Sequence, residues 1–531
     1  MNGAGGNSTR LMFDDDDDFN NSTPLTSIMY SLATLTIVLL LFKIIYERWV
    51  TPLSQVPGKY LHSISSLPMR YNMLRGTLPQ FLLSLHRQYG PVVRIAPQRV
   101  SVADVEMLRH ILGSHVYRKT PSYDMPSVLE ANTFSTRSAE LSSERRRQMG
   151  PGFSHKHLLE MEDRINECGV LRLREVLDQE IKKDGVVRMQ YNRVFSLIAL
   201  DVIGILGFGK RFEALRSGGH ELVGMLVRIR MFNYVTMAFP WFKKLPMLVG
   251  RRLLGTLYRL IDFALQAIEQ RRKEGKGMVD LLQMMMDVGR TEGDRRMTMS
   301  DPQMVSETIL HLIAGVDTTS AGLTWTLALL LEHREIMDRL VSEIRTVFPD
   351  LQTVVSFEDC RLRLPYLTAV INESLRIMSP TPGMLPRLAP AGGVRLGGYF
   401  LPAGTWICCS IGAVHLNPAT FALPGVFDPE RFLGEKGAAT KHNLLAFSTG
   451  VRACLGRNLA LVEMHVVLAN LLKNYDLRSA ICPSKPESSS ANEYCGEVLS
   501  CISRRYMMTI NPSNPDRDCQ VLVYPRKPEE I

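Results

Sequence analysis

The ten residues FSTGVRACLG, positions 447–456, constrain this chain more than any other stretch. Cys454 has Gly450 four residues before it, Arg452 two before it and Gly456 two after it, and Phe447 opens the run. A helical pattern follows over 455–474. A single thiol set between glycines can be a disulfide partner, a small buried hydrophobe, a nucleophile or a metal ligand. The rest of the chain has to discriminate among these.

Composition removes two of the readings. The nine cysteines among 531 residues are sparse, odd in number and form no CxxC pair, which argues against a disulfide scaffold and for a reducing compartment. No pair of His or Cys has zinc-finger spacing. Hydrophobic residues at 45% and charged residues at 22% describe an ordinary globular core. Five acidic residues, Asp14 to Asp18, form one run in the N-terminal tail, and setting them aside raises the net charge of the rest from +9 to +14. Such a surface attracts an acidic partner or anionic lipid. Nucleic acid is not expected, because no basic block carries interleaved aromatics.

Residues 25–46, LTSIMYSLATLTIVLLLFKIIY, are apolar except for Lys43 near one end, and a bilayer core needs about 20 such residues. A cleaved signal peptide would want a positive leader and a small-residue cleavage site; here an acidic tail precedes and bulky residues follow. Lys43, Arg48 and Lys59 lie at or beyond the end of the segment and only Arg10 precedes it, so the positive-inside rule puts the body in the cytosol. The tail, residues 1–24, would then be luminal if the membrane is endoplasmic reticulum, and Asn7, Asn20 and Asn21 each begin an N-x-S/T sequon there. Pro52 and Pro57-Gly58 predict a stiff hinge over 47–60. One large domain is expected over 61–515, interrupted by a polar surface insertion at 483–493 and followed by a C-terminal tail, 516–531.

Long helical patterns dominate the body. The longest, 300–344, is expected to start with Asp301 as its cap and Pro302 at its first position. Another is expected from Pro365 to before Pro380, while 91–104 and 394–407 alternate as strands do. The expected class is mainly α with a small β region. The stretch 410–453 is nearly aperiodic, and a loop that long inside a domain is usually functional.

The residue types around Cys454 each have a task if it is a thiolate ligand of haem iron. Gly450 permits a tight turn, Gly456 lets the next helix approach the ring without a Cβ, and Arg452 can pair with a propionate. N–H groups at the start of the following helix favour the anionic sulfur. The stretch resembles the haem-binding signature of the cytochrome P-450 family, Phe-x-x-Gly-x-Arg-x-Cys-x-Gly, and further motifs of that family occur in the family's order. AGVDTTS, 314–320, resembles the oxygen-activation motif: Ala314 and Gly315 would be small where the helix crosses the haem, and Asp317 and Thr318 would relay protons. Glu373 and Arg376 resemble Glu-x-x-Arg, and FDPERF supplies Arg431 for an implied structural network bracing the haem loop. By the same resemblance Arg387 and Arg146 would hold propionates. Ser142 stands where the family has Trp, which leaves Arg145 and Arg147 open as alternatives to Arg146. The segment 231–250, with Lys243 and Lys244, corresponds to a region that covers the substrate channel and dips into lipid in membrane-bound relatives.

The resemblance implies a P-450 fold holding haem b, and a monooxygenase that inserts one oxygen atom from O2 into an apolar small molecule. NADPH and flavins would act through a separate reductase, docked on the basic surface. Fungal microsomal members of terpenoid or polyketide secondary metabolism are the most similar kind. Two other classes share the cysteine: a haem-thiolate isomerase or dehydratase that does not use O2, against which the Asp317–Thr318 pair speaks, and a non-catalytic haem-binding membrane protein.

Overall fold

The computed structural model describes residues 24–124, 129–239, 251–274, 280–287, 299–480 and 502–526. The sequons at Asn7, Asn20 and Asn21, the 483–493 insertion, and Lys243 and Lys244 lie outside them.

Among the described residues, apolar length alone would nominate two helices as membrane spans, and burial separates them. Helix α1 (Pro24–Ile45) runs on through one π turn, and the apolar window of its Thr26–Val50 span has a mean hydropathy of 2.2 with none of that window buried. Tyr191–Phe208 has a hydropathy of 1.5 but is 78% buried as a core helix. The expected hinge is pinned to the body rather than free. Arg94, on strand β1 (Val92–Ala96), reaches Glu47 in the π turn with one Nη at 2.7 Å from the carboxylate and the other at 2.7 Å from the carbonyl. Its backbone N–H donates to Pro57 O at 2.7 Å.

Around the core the named helices are α2 (Val105–Leu112), α3 (Ala139–Met149), α4 (Tyr191–Phe208), α5 (Glu221–Ala238), α6 (Asp301–Glu332), α7 (Pro365–Ile377) and α8 (Arg457–Asn474). The sheets are small. The largest has the order β1-β2-β7-β4, with β2 Arg99–Val102, β4 Met384–Leu388 and β7 Trp406–Ser410. The expected strand region 394–407 holds a hairpin (β5 Val394–Leu396, β6 Tyr399–Leu401) and the start of β7. A second hairpin joins β9 (Arg504–Met507) to β10 (Thr509–Pro512). β3 (Val187–Gln190) and β8 (Tyr475–Ser479) flank β11 (Gln520–Pro525) antiparallel, so part of the stretch expected to be a tail is the central strand of a sheet.

Helix α6 is the axis of the core. It begins one residue earlier than a cap at Asp301 would require: Ser300 is the cap, its N–H held by Gln303 Oε1 at 3.1 Å, and Pro302 is the second helical residue. Asp301 instead pairs with Arg272 at 2.9 Å. The helix stops at Glu332 because His333 leaves helical dihedrals (φ −108°, ψ 77°), and a separate helix follows over Arg334–Val347. No Gly or Pro marks that break in the sequence.

α6 also carries buried charge. Glu307 accepts from Thr133 N–H at 2.8 Å and Thr133 Oγ1 at 3.0 Å, and lies 3.9 Å from Arg145 Nε of α3. Burial outweighs these contacts and pushes its carboxyl up to about 7, while burial takes His311, one turn on, down to about 4.

Two outcomes follow. Arg94→Ala leaves the buried Glu47 side chain without its partner, and chemical denaturation of the solubilised protein is expected to show a loss of about 3–5 kcal/mol. A loss of about 1 kcal/mol or less, as for an exposed pair, would contradict that burial. Glu307, raised when folded, contributes stability that is complete below its unfolded value of 4.5 and is lost as pH rises through about 7. His311 slopes the opposite way, so the readout is the difference between wild type and Glu307→Gln. That difference is expected to change by on the order of 3 kcal/mol across the window.

Candidate active site

The aperiodic loop is held to α7 by a buried charge network. Glu373 and Arg376 form a bidentate pair at 2.7 and 2.8 Å, both fully buried. Arg431 reaches Glu373 at 3.2 Å and Asp428 N–H reaches it at 3.0 Å. The remaining guanidinium hydrogens go to loop carbonyls: Arg376 to His415 and Pro424, each at 2.8 Å, and Arg431 to Leu423 at 2.9 Å. Leu423 has φ +44°, a strained conformation for a leucine that this bond helps to fix. The network joins the three residues expected. His415, missed from the sequence, adds a fourth contact by accepting from Leu445 N–H at 2.9 Å.

From there the chain enters the cysteine loop. Gly450 has φ +70°, and a Cβ on it would stand 2.5 Å from Leu112 O and from Gly113 Cα. Its smallness is therefore demanded by the end of α2 as well as by the turn. Gly456 has φ −80° and caps α8, and a Cβ there would meet nothing closer than Phe153 at 4.0 Å. Phe447 is half-buried under the guanidinium of Arg457, 5.9 Å from its ring centre, and its carbonyl accepts from Cys454 N–H at 2.9 Å.

Cys454 is exposed, yet burial is the largest influence on its thiol and raises its pKa; the Gly456 N–H and the charges of Arg146 and Arg457 oppose this. Exposure and burial agree when the sulfur borders an internal space. The helix-start N–H acts in the direction expected from the sequence, and burial outweighs it in the protein alone.

Four cations surround this region. Arg146 donates to Ala453 O at 2.8 Å, which separates it from its neighbours: Arg145 turns into the core toward Gln148 and Glu307, and Arg147 is exposed. Arg452 donates to Thr136 O at 3.2 Å and Ser138 O at 2.9 Å. Arg387, buried on β4, donates to Tyr123 Oη at 2.9 Å. Lys119, missed from the sequence, is buried, bridges Arg387 through the backbone and gives its ammonium to Phe134 O. Among the described residues none of the four pairs with a carboxylate. Burial, then the charges of Arg387 and Arg146, takes Arg452 down to about 10; burial and the three arginines take Lys119 well below its usual value. Buried cations that depress one another call for an anion between them.

On α6, Ala314 is the one exposed residue between Gln303 and Glu332, in keeping with a small residue bordering a space. Gly315 has a different task from the one expected: a Cβ there would come 3.3 Å from Ile203, so its smallness admits α4. Thr318 Oγ1 donates to Ala314 O at 2.7 Å. Asp317 pairs with Arg230 of α5, Oδ2 to Nη1 2.9 Å, a partner no sequence motif announces.

The family profile described as cytochrome P-450 matches residues 60–507. The chain is 29% identical over 509 residues to the cytochrome P-450 monooxygenase helB1 of Aspergillus fumigatus, covering 94% of this chain and 86% of that one. It is 30% identical to the cytochrome P-450 monooxygenase atr2 of Stereocaulon alpinum (85% and 90% covered), and 31% identical to the cytochrome P-450 monooxygenase lcsI of Purpureocillium lilacinum (83% and 87%). The crystal structure of the cytochrome P-450DA haem domain superposes with a TM-score of 0.72 at 22% identity, over 90% of this chain and 98% of that one, and so shares the fold. The chain belongs to the cytochrome P-450 family and is a haem monooxygenase.

Proposed function

We propose that this protein is a membrane-anchored haem-thiolate monooxygenase that inserts one oxygen atom from O2 into an apolar small molecule, by hydroxylation or epoxidation. The observation that carries the reading is the set of four cations without a carboxylate partner beside a loop whose thiol opens to an interior space. Haem b fits that donor set. Cys454 would ligate the iron, and Arg146, Arg387 and Arg452 would hold the two propionates. When bound, the group supplies O2 reduction, with thiolate ligation favouring O–O cleavage.

The chain's own residues do the rest. The Glu373–Arg376–Arg431 network fixes the loop, so Cys454 and Arg452 meet the group without reorganising. Phe447 and Gly456 shape the two ends of the thiol's surroundings. Ala314 keeps the face of α6 open, and Gly315 seats that helix against α4. Thr318, its hydrogen held by Ala314 O, keeps its oxygen as an acceptor. Asp317 is the adjacent acid that would exchange protons with it.

Electrons would come from NADPH through a separate flavoprotein reductase whose acidic face meets the basic surface of this chain. The anchor α1 would span the endoplasmic reticulum membrane once, body in the cytosol, in contact with lipid. Asn7, Asn20 and Asn21 would then be luminal glycan acceptors. The fungal relatives, and the resemblance to microsomal members, support a substrate from secondary metabolism, a terpenoid or polyketide.

Cys454→Ala should abolish the red-shifted carbon monoxide band of the reduced protein. A band that survives would refute thiolate ligation by this residue. Asp317→Asn should lower product formation in reconstituted membranes by about 10²-fold while that band stays, the lower end of what an acid–base group contributes. Turnover continuing without NADPH or O2 would point instead to an isomerase or dehydratase.

A further inference from the structure

Asp317 sits in an unusual position for a proton-transferring acid, because its carboxylate is already engaged. Arg230 Nη1 lies 2.9 Å from Oδ2, with only 10% of the arginine side chain and 13% of the aspartate side chain exposed. The same Nη1 reaches Thr509 Oγ1 of β10 at 3.4 Å, and Asn511 Nδ2 donates to that hydroxyl at 2.8 Å. Three elements thus meet at one carboxylate: α6 carries it, α5 supplies the cation, and β10 steadies the cation. Arg230 is the charged group that acts on Asp317. Thr509 and Asn511, the polar neighbours contributed by β10, do not titrate.

We propose that Arg230 is the positioning residue of the proton relay: delivered by α5, it holds the Asp317 carboxylate ionised and fixed on the α5 side of α6. The inference rests on the reading of Asp317 as the relay acid. Burial is the larger influence and raises this carboxyl above its ordinary value; the guanidinium opposes that rise and limits it. A buried carboxylate whose cation is removed does not stay charged; it takes up a proton. Arg230 therefore decides whether Asp317 starts each turn as a carboxylate, able to take a proton from water, or as a neutral acid with nothing to orient it. Because Arg230 also contacts Thr509, the protonation state of the relay is tied to how α5 and the β9–β10 hairpin sit on α6.

The test uses the full-length, haem-loaded protein in membranes. Infrared difference spectra of wild type against Asp317→Asn at neutral pH should carry a carboxylate signal. Against the matching Arg230→Met/Asp317→Asn reference, Arg230→Met should show the C=O stretch of a protonated carboxyl instead. Its ionisation should move up by about 1–3 pH units, the range expected when a close opposite charge is lost. Arg230→Lys should restore the carboxylate signal. A carboxylate signal unchanged in Arg230→Met would overturn the proposal. The second readout is NADPH-driven H2O2 release with the reductase and no added substrate. Arg230→Met should shift its pH profile in the wild-type background and leave it unmoved in the Asp317→Asn background. Equal shifts in both backgrounds would mean that Arg230 acts through the fold and would likewise overturn the proposal. If Asp317→Asn alone leaves H2O2 release untouched, the relay reading fails, and Arg230 fails as a relay residue with it. The infrared result still reports separately whether Arg230 sets the charge.

Discussion

The buried carboxylate of Glu373 is the constraint on which the site depends. The segment between β7 and α8 is broken into short helical pieces, Ile411–His415, Pro429–Phe432, Gly434–His442 and Gly450–Arg452, and the irregular stretches that join them leave backbone polar groups without the partners that long helices and sheets provide. Glu373 answers this by holding two arginines whose remaining hydrogens are spent on loop carbonyls at His415, Leu423, Pro424 and Val426. Such a buried network is not worth much as net stability, since two or three desolvated charges cost nearly what they regain. Its value is geometric. A loop tied to α7 at several points has one conformation, and the cysteine turn inherits it.

The same accounting explains the cations beyond the loop. Arg376 and Arg431 are compensated within the protein. Among the described residues, Lys119, Arg146, Arg387 and Arg452 are met only by carbonyls and a phenol, which supply hydrogen bonds without supplying charge. An interior that balances one set of arginines and leaves another unbalanced marks where a partner of opposite charge belongs. Tyr123 belongs to this arrangement as well: it accepts from Arg387, and the Lys119 ammonium stands 4.8 Å from its ring centre. The two residues come from one short stretch, yet neither spacing nor composition distinguishes it in the sequence.

What was legible followed from local rules. The cysteine turn, the Glu373–Arg376 spacing and the apolar span of α1 are each contained within a few turns of chain, so residue types at fixed offsets report them. What was illegible depends on distant contacts. Gly315 reads as room for a ligand, but Ile203, more than a hundred positions away, takes the space. Three consecutive arginines look alike until α3 is placed; helical rotation then sends Arg145 inward, Arg146 to the cysteine loop and Arg147 to the surface. β11 reads as a tail because its value lies in pairing with β3 and β8. The break at His333 has no breaker residue to announce it.

Helix α6 shows the same divide within one element. Thr318, Ser320 and Thr326 each donate to the carbonyl four residues back, at 2.7, 2.7 and 2.8 Å. A hydroxyl satisfied inside its own helix can be buried in apolar surroundings at little cost, so these residues need no partner from elsewhere. Asp317 has no such option, because a carboxylate cannot donate to a carbonyl. Its presence in an apolar helix is costly on local grounds alone, and this much the sequence makes plain. What meets that cost has to come from another part of the chain, and Arg230 of α5 does so. An acid embedded among self-sufficient hydroxyls is thus the one point where this stretch of α6 depends on its neighbours for charge, and where they can act on its chemistry.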